Sequence, residues 1–176
     1  MVKRIITAAV CLVLFIPTLV FSGKVPLLFM SVIGVLALIS AYEICGCIGV
    51  RKAFYVSLPT YLTVIAVMAL SIVYVKQYQA IPLKMFASLI LAILFIYLFV
   101  TFSASMFSDG GVRFSQTCEM TAFTMYMLIG YLAIIFTRYA DMGNYLFLLI
   151  FIGVWLTDTG AYFVGSFLGK HKLIPN

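Results

Sequence analysis

The sequence predicts an all-α, polytopic integral membrane protein of about six transmembrane helices, and three observations carry that reading. Hydrophobic residues make up 65% of the chain and charged residues only 9%, and the mean hydropathy is +1.22, far outside the range of water-soluble domains. Several stretches of eighteen or more residues carry no charge, and each is long enough to cross about 30 Å of hydrocarbon at ~1.5 Å per residue. No repeat, low-complexity tract or soluble domain interrupts the succession of apolar runs and short polar breaks, so residues 1–176 read as one transmembrane helical region.

The spans fall at 5–22, 25–47, 55–75, 85–106, 117–137 and 144–168, with ends soft by several residues. Lys3 and Arg4 precede the first span as they would in a signal peptide, but the run is long and no small-x-small cleavage site follows, so it reads as an uncleaved helix. Arg51 and Lys52 mark a hairpin between the second and third spans, and the "SDGGVRF" stretch around Asp109 has the glycine chemistry of a turn before the fifth. Cys11, Cys45, Cys47 and Cys118 lie in or at the ends of apolar spans, where cysteine acts as a small apolar residue. The spacing of Cys45 and Cys47 is not that of a tetrahedral zinc site. Met120, Met125 and Met127 read as adaptable packing.

Six spans put both termini on one side. Lys3, Arg4, Arg51, Lys52, Arg113, Lys170 and Lys172 share that side, against Lys24, Lys76, Lys84 and Arg138 on the other, and seven against four predicts that both ends are cytoplasmic. The formal net charge of +6 suits contact with anionic lipid head groups and calls for no nucleic acid. On this topology Glu43, Asp109, Glu119 and Asp158 gather toward the cytoplasmic half, with only Asp141 outside, the pattern of a cytoplasm-facing cavity that holds positive charge.

Asp158 is the leading candidate for chemistry. A carboxylate near the middle of a spanning helix costs about 2.5–3.5 kcal/mol on insertion scales, so it is expected to face a cavity, a partner or an ion. At helical spacing Asp158, Tyr162, Gly165 and Gly169 share one face. The glycines serve either as a small-xxx-small packing pair or as room for a ligand against the backbone. Thr157, Thr159 and Gly160 surround the acid with small or hydroxyl-bearing groups, which suits a hydrated or magnesium-bound carboxylate; magnesium takes oxygen ligands and keeps several waters, so one carboxylate plus substrate phosphates can hold it. Lys170, His171 and Lys172 follow, either as a positive-inside anchor or as receivers of phosphate oxygens. In an unbroken helix Lys170 would stand about 18 Å from Asp158, so only an extended ligand such as a nucleotide triphosphate could reach both. Glu43 and Glu119, closer to an interface, are weaker candidates, Glu119 as a second metal ligand.

The closing stretch "DTGAYFVGSFLGKHKL", residues 158–173, resembles a segment of the bacterial phosphatidate cytidylyltransferases, the CDP-diacylglycerol synthases, and "KRIITAAV" followed by an apolar span and "AYEICG" is similar to that family's opening helices. The resemblance implies transfer of CMP from CTP to phosphatidate, giving CDP-diacylglycerol and pyrophosphate, assisted by a divalent ion taken as Mg2+ at the inner face of a bacterial cytoplasmic membrane. It implies that Asp158 borders the active site, with Tyr162, Gly165, Lys170, His171 and Lys172 on the substrate side, and it admits a homodimer. The family pattern continues past this point with a Ser-Pro-Lys-Lys-Thr-like segment and further helices. The chain is therefore expected to correspond to the N-terminal two thirds of such an enzyme and to be inactive unaided. Two rival classes stay open: a transporter or channel subunit whose intramembrane acids form an ion path, and a structural protein whose glycine stripe packs a partner helix.

Overall fold

The computed structural model describes residues 26–77, 81–108 and 111–167. The first predicted span, 5–22, lies outside them. Five helices follow in order: α1 (Pro26–Ile48), α2 (Phe54–Lys76), α3 (Leu83–Met106), α4 (Phe114–Tyr139) and α5 (Gly143–Phe167). They overlie the second to sixth predicted spans with no end displaced by more than three residues, the largest shift being Phe114 against 117. All five are long and apolar enough to cross a membrane, no strand occurs among the described residues, and the protein is a multi-pass membrane protein. Helices are the expected answer, because hydrocarbon offers backbone N–H and C=O groups no partner outside the helix itself.

The chain divides into two compact units, residues 1–132 and 133–176. In the first, α2 packs between α1 and α3. Its core mixes apolar side chains such as Phe29, Ile33, Val64 and Met120 with buried hydroxyls, Ser57, Thr60, Ser71, Thr101, Thr117 and Thr124 among them. Pro59 sits inside α2 and removes the N–H that would reach the Tyr55 carbonyl, a change membrane helices tolerate when neighbouring groups compensate. At the far ends of α2 and α3 the rings of Tyr74 and Phe86 pack with centroids 4.3 Å apart.

The α1–α2 connection is a Schellman turn. Val50 N–H donates to the Cys45 carbonyl at 2.9 Å and Gly49 N–H to the Gly46 carbonyl at 3.2 Å, with Gly49 left-handed at φ +82°, the conformation for which glycine has no steric cost. Val50, the residue after the turn, packs with Cys45, Val56, Val112 and Met120 in one buried apolar cluster. The α1–α2 loop and the segment leading into α4 are thus anchored on the same small core.

In the second unit, α4 ends at Tyr139 with Arg138 in its last turn, where a cation complements the helix dipole. Along α5, Phe147, Phe151 and Trp155 stack at four-residue spacing with centroids 6.0 and 4.8 Å apart. From Ile152 to Gly165 every residue of α5 is exposed.

Candidate functional site

Two regions carry polar chemistry, one in each unit, and the first is a hydroxyl seam through α2, α3 and α4. Threonine and serine in helices satisfy themselves by donating to the carbonyl one turn back. Thr60 donates to Val56 at 2.9 Å, Thr101 to Tyr97 at 2.7 Å, Thr121 to Thr117 at 2.8 Å and Thr124 to Met120 at 2.7 Å. Their oxygens remain free to accept. The Tyr97 hydroxyl lies 3.2 Å from Thr60 Oγ1 and 3.3 Å from Thr124 Oγ1. Because both threonine protons are already committed, the single Tyr97 proton serves two acceptors, one on each neighbouring helix. Thr117 Oγ1 donates to Ser105 Oγ at 2.8 Å, joining α4 to α3 again, and Ser40 meets Tyr131 at 2.8 Å, joining α1 to α4. No buried side-chain N or O among the described residues lacks a partner.

This seam was not among the sequence-level candidates. Its trace was present as the spacing Tyr97, Thr101, Ser105 in α3 and Thr117, Thr121, Thr124 in α4, hydroxyls recurring every three or four residues in spans otherwise apolar. Against it, bordered by Thr63 and by Tyr97 of the seam itself, an apolar groove of about 290 Å3 runs between Pro59, Leu62 and Ala66 of α2 and Ile93, Ile96 and Val100 of α3. With no charge in its lining it offers nothing to an anion.

The membrane-surface end of this unit carries Arg51, Lys52 and Arg113, all exposed. Gln116 ties its two loops together. Its Oε1 accepts from the backbone N–H of Arg113 at 3.0 Å, half of a capping box at the start of α4, while its Nε2 donates to the Ile48 carbonyl at the end of α1 at 2.8 Å. Glu43 and Glu119 are exposed; Glu119 shares the outer stripe of α4 with Ser115, Ala122, Phe123 and Tyr126, apart from the buried hydroxyls.

The second region is α5. The helix is continuous through Asp158, Tyr162 and Gly165, so the three share a face as their spacing requires. All three are exposed. A Cβ at Gly160 or Gly165 would meet nothing within 4 Å, so the backbone on this stretch is open to close approach. Thr157 turns its hydroxyl back onto the Gly153 carbonyl at 2.8 Å and leaves its lone pairs outward. Gly169, Lys170, His171 and Lys172 lie outside the described residues. No group of three or more His, Cys, Asp and Glu side chains able to hold a metal ion comes together among the described residues.

Comparison with known proteins decides the family: a model of the cytidylyltransferase family matches residues 2–176. The chain belongs to that family. It is 33% identical over 177 residues to a phosphatidate cytidylyltransferase of Staphylococcus aureus (strain COL). It is 34% identical over 177 residues to one of Staphylococcus epidermidis (strain ATCC 35984) and 30% identical over 172 residues to one of Staphylococcus haemolyticus (strain JCSC1435). Each match covers 98% of this chain and 61% of the relative, so this cytidylyltransferase-family chain spans about three fifths of the relatives' length. No solved structure matches it. The match runs through all five described helices, the hydroxyl seam and Asp158 included.

Proposed function

We propose that this protein takes part in phosphatidate cytidylyltransfer, making CDP-diacylglycerol and pyrophosphate from CTP and phosphatidate at a bacterial cytoplasmic membrane, with both ends of this chain on the cytoplasmic side. The observation that carries the reading is the match over 98% of the chain to proteins of that name. The membrane-spanning architecture agrees with it, because one substrate is itself a lipid. In the reaction a phosphatidate phosphate oxygen forms a bond to the α-phosphorus of CTP, and the bond from that phosphorus to the departing pyrophosphate breaks. Both reactants are anionic, so the protein must supply positive charge and exact placement before they can meet.

Asp158 is the residue we assign to the centre. Its carboxylate is the acid within the last described helix, flanked by Thr157, Thr159 and Gly160, and it is exposed on a face with open backbone. A lone carboxylate of this kind suits Mg2+ held jointly by substrate phosphates, an ion that supplies charge neutralisation when bound. Tyr162 and Gly165 continue the face toward Lys170, His171 and Lys172, which the proposal gives to phosphate steering. A homodimer is the partner reading that goes with the open glycine face of α5.

The test reconstitutes the protein in vesicles containing phosphatidate and follows CDP-diacylglycerol formation from labelled CTP. It uses both this chain and a chimera carrying the part of the Staphylococcus aureus relative outside the match. Product from either, dependent on CTP and Mg2+, supports the proposal. Asp158→Asn should lower turnover by at least about 100-fold, with helical content and expression unchanged; full activity would remove Asp158 from the mechanism. Glu119→Gln in the same assay reads the second acid by itself. Ion uptake by the vesicles with no requirement for CTP would overturn the reading in favour of a transporter.

A further inference from the structure

The end of the first unit that carries Arg51, Lys52 and Arg113 is more ordered than a positive-inside anchor needs to be. Three features hold it. The Schellman turn directs the chain after Gly49 back toward α1, and the apolar cluster of Cys45, Val50, Val56, Val112 and Met120 anchors both loops from beneath. Gln116 spans from the α1 end to the Arg113 N–H. On this base Arg51 takes one defined seat. Its guanidinium lies over the Tyr42 ring, 3.7 Å from the centroid, and its Nη2 donates to the Tyr42 carbonyl at 3.2 Å. The seat exists because residue 46 is glycine: a Cβ there would collide with the guanidinium, whose Cζ stands only 2.9 Å from where that atom would be.

A simple surface charge has no reason to be placed so closely. Glu43 neighbours Tyr42 in the chain, yet Arg51 stacks on the ring and makes no ion pair with it; among the described residues none of the three cations has a carboxylate partner. Arg51 uses one donor of its five on the Tyr42 carbonyl and presents the others, planar and already oriented, at an exposed surface. A guanidinium whose rotamer freedom is spent in advance loses less on binding, and its fork matches the oxygen spacing of phosphate.

We propose that this end of the bundle is a phosphate-binding platform, with Arg51, seated on Tyr42 over Gly46, as its fixed donor and Lys52 and Arg113 as its flanking charges. The phosphate belongs either to an anionic lipid head group or to a soluble phosphate compound. The site is independent of Asp158 and of turnover.

Two binding arms separate the sources. Inorganic pyrophosphate is titrated calorimetrically onto the protein in uncharged detergent, and phosphatidate is counted as retained lipid by native mass spectrometry after incubation in zwitterionic nanodiscs doped with it. The informative variants keep the charge and move the group. Gly46→Ala displaces the Arg51 guanidinium while improving the helix, since alanine is the better helix former. Arg51→Lys keeps the charge and removes the planar fork. Both should weaken binding by about tenfold in the arm that reports the true ligand, while Lys52→Arg stays within twofold. Should Gly46→Ala not fold, Tyr42→Leu removes the ring beneath Arg51 and gives the same expectation. Wild-type affinity in Gly46→Ala and Arg51→Lys, in both arms, would reduce the cluster to a membrane anchor, and absence of wild-type binding in both arms would also overturn the proposal. The turnover assay reads the cytidylyltransfer proposal by itself: product formation together with wild-type affinity in Gly46→Ala and Arg51→Lys overturns the platform alone, and binding lost in those variants with no product from either protein overturns the transfer alone.

Discussion

Replacing Tyr97 with phenylalanine removes one oxygen from the centre of the first unit and leaves the ring in place, and its cost can be worked from the proton count. The Tyr97 hydroxyl lies 3.2 Å from Thr60 and 3.3 Å from Thr124, but it has one proton, and both threonines spend theirs on the carbonyls of Val56 and Met120. The substitution therefore deletes the equivalent of one shared interhelical hydrogen bond and orphans no donor. Hydrogen bonds between membrane helices average about 0.6 kcal/mol and reach about 1.7 kcal/mol, so Tyr97→Phe should shift the unfolding equilibrium by roughly three- to twentyfold. Tyr97→Ala, which also empties a site only 2% exposed, should cost about 3–5 kcal/mol, as large aromatic truncations do. Reversible unfolding in mixed micelles of rising SDS fraction, followed by far-ultraviolet circular dichroism, reads both. A cycle with Thr124→Val isolates the pair. A loss above about 3 kcal/mol for Tyr97→Phe would mean that the hydroxyl serves more than these two neighbours. No coupling to either Thr60→Val or Thr124→Val would mean that the three oxygens do not share a proton at all.

Other substitutions probe the remaining joints. Gln116→Leu breaks both the capping bond to Arg113 and the bond to the Ile48 carbonyl, and should cost about 1–3 kcal/mol in the same unfolding assay while raising hydrogen exchange in residues 49–53. Phe86→Ala empties a site only 3% exposed and unstacks Tyr74; a loss of about 3–5 kcal/mol is expected, and Phe95→Ala, at a residue 70% exposed, should cost far less. Asp158→Asn should leave unfolding unchanged while lowering the CDP-diacylglycerol formation proposed above by at least about 100-fold, so a stability loss as large as that of Phe86→Ala would recast Asp158 as a structural residue.

The contrast between Phe86 and Phe95 marks the limit of reading a membrane protein from sequence. Both stand in α3 and both are phenylalanine, and their apolarity does not tell the buried one from the exposed one; only the hydroxyls of Tyr97, Thr101 and Ser105, whose stripe runs back through Ile90 to Phe86, mark the core face. In water an amphipathic pattern would separate them, but lipid-facing and core-facing positions here are equally apolar, so the periodicity that phases a soluble helix carries little information. Asp158 stood out for the opposite reason: a carboxylate in a hydrophobic run is rare because it is costly, and rarity is visible without coordinates. The Arg51 seat was invisible on its own terms, since an arginine at a loop reads as a topological anchor and only its placement over Gly46 and Tyr42 distinguishes it.

Helical character, the number of apolar crossings after residue 25 and their bounds follow from the sequence alone, because a bilayer about 30 Å thick demands roughly twenty apolar residues and internal hydrogen bonding from any segment that crosses it. Those are requirements on each segment separately, met or failed within a single window. Which polar groups pair was decided only in three dimensions: the Thr60 and Tyr97 hydroxyls lie 37 residues apart in the chain, and the Gln116 amide lies 68 from the Ile48 carbonyl it donates to. Such pairings depend on shape and on how neighbouring helices rotate, and no single segment contains that information.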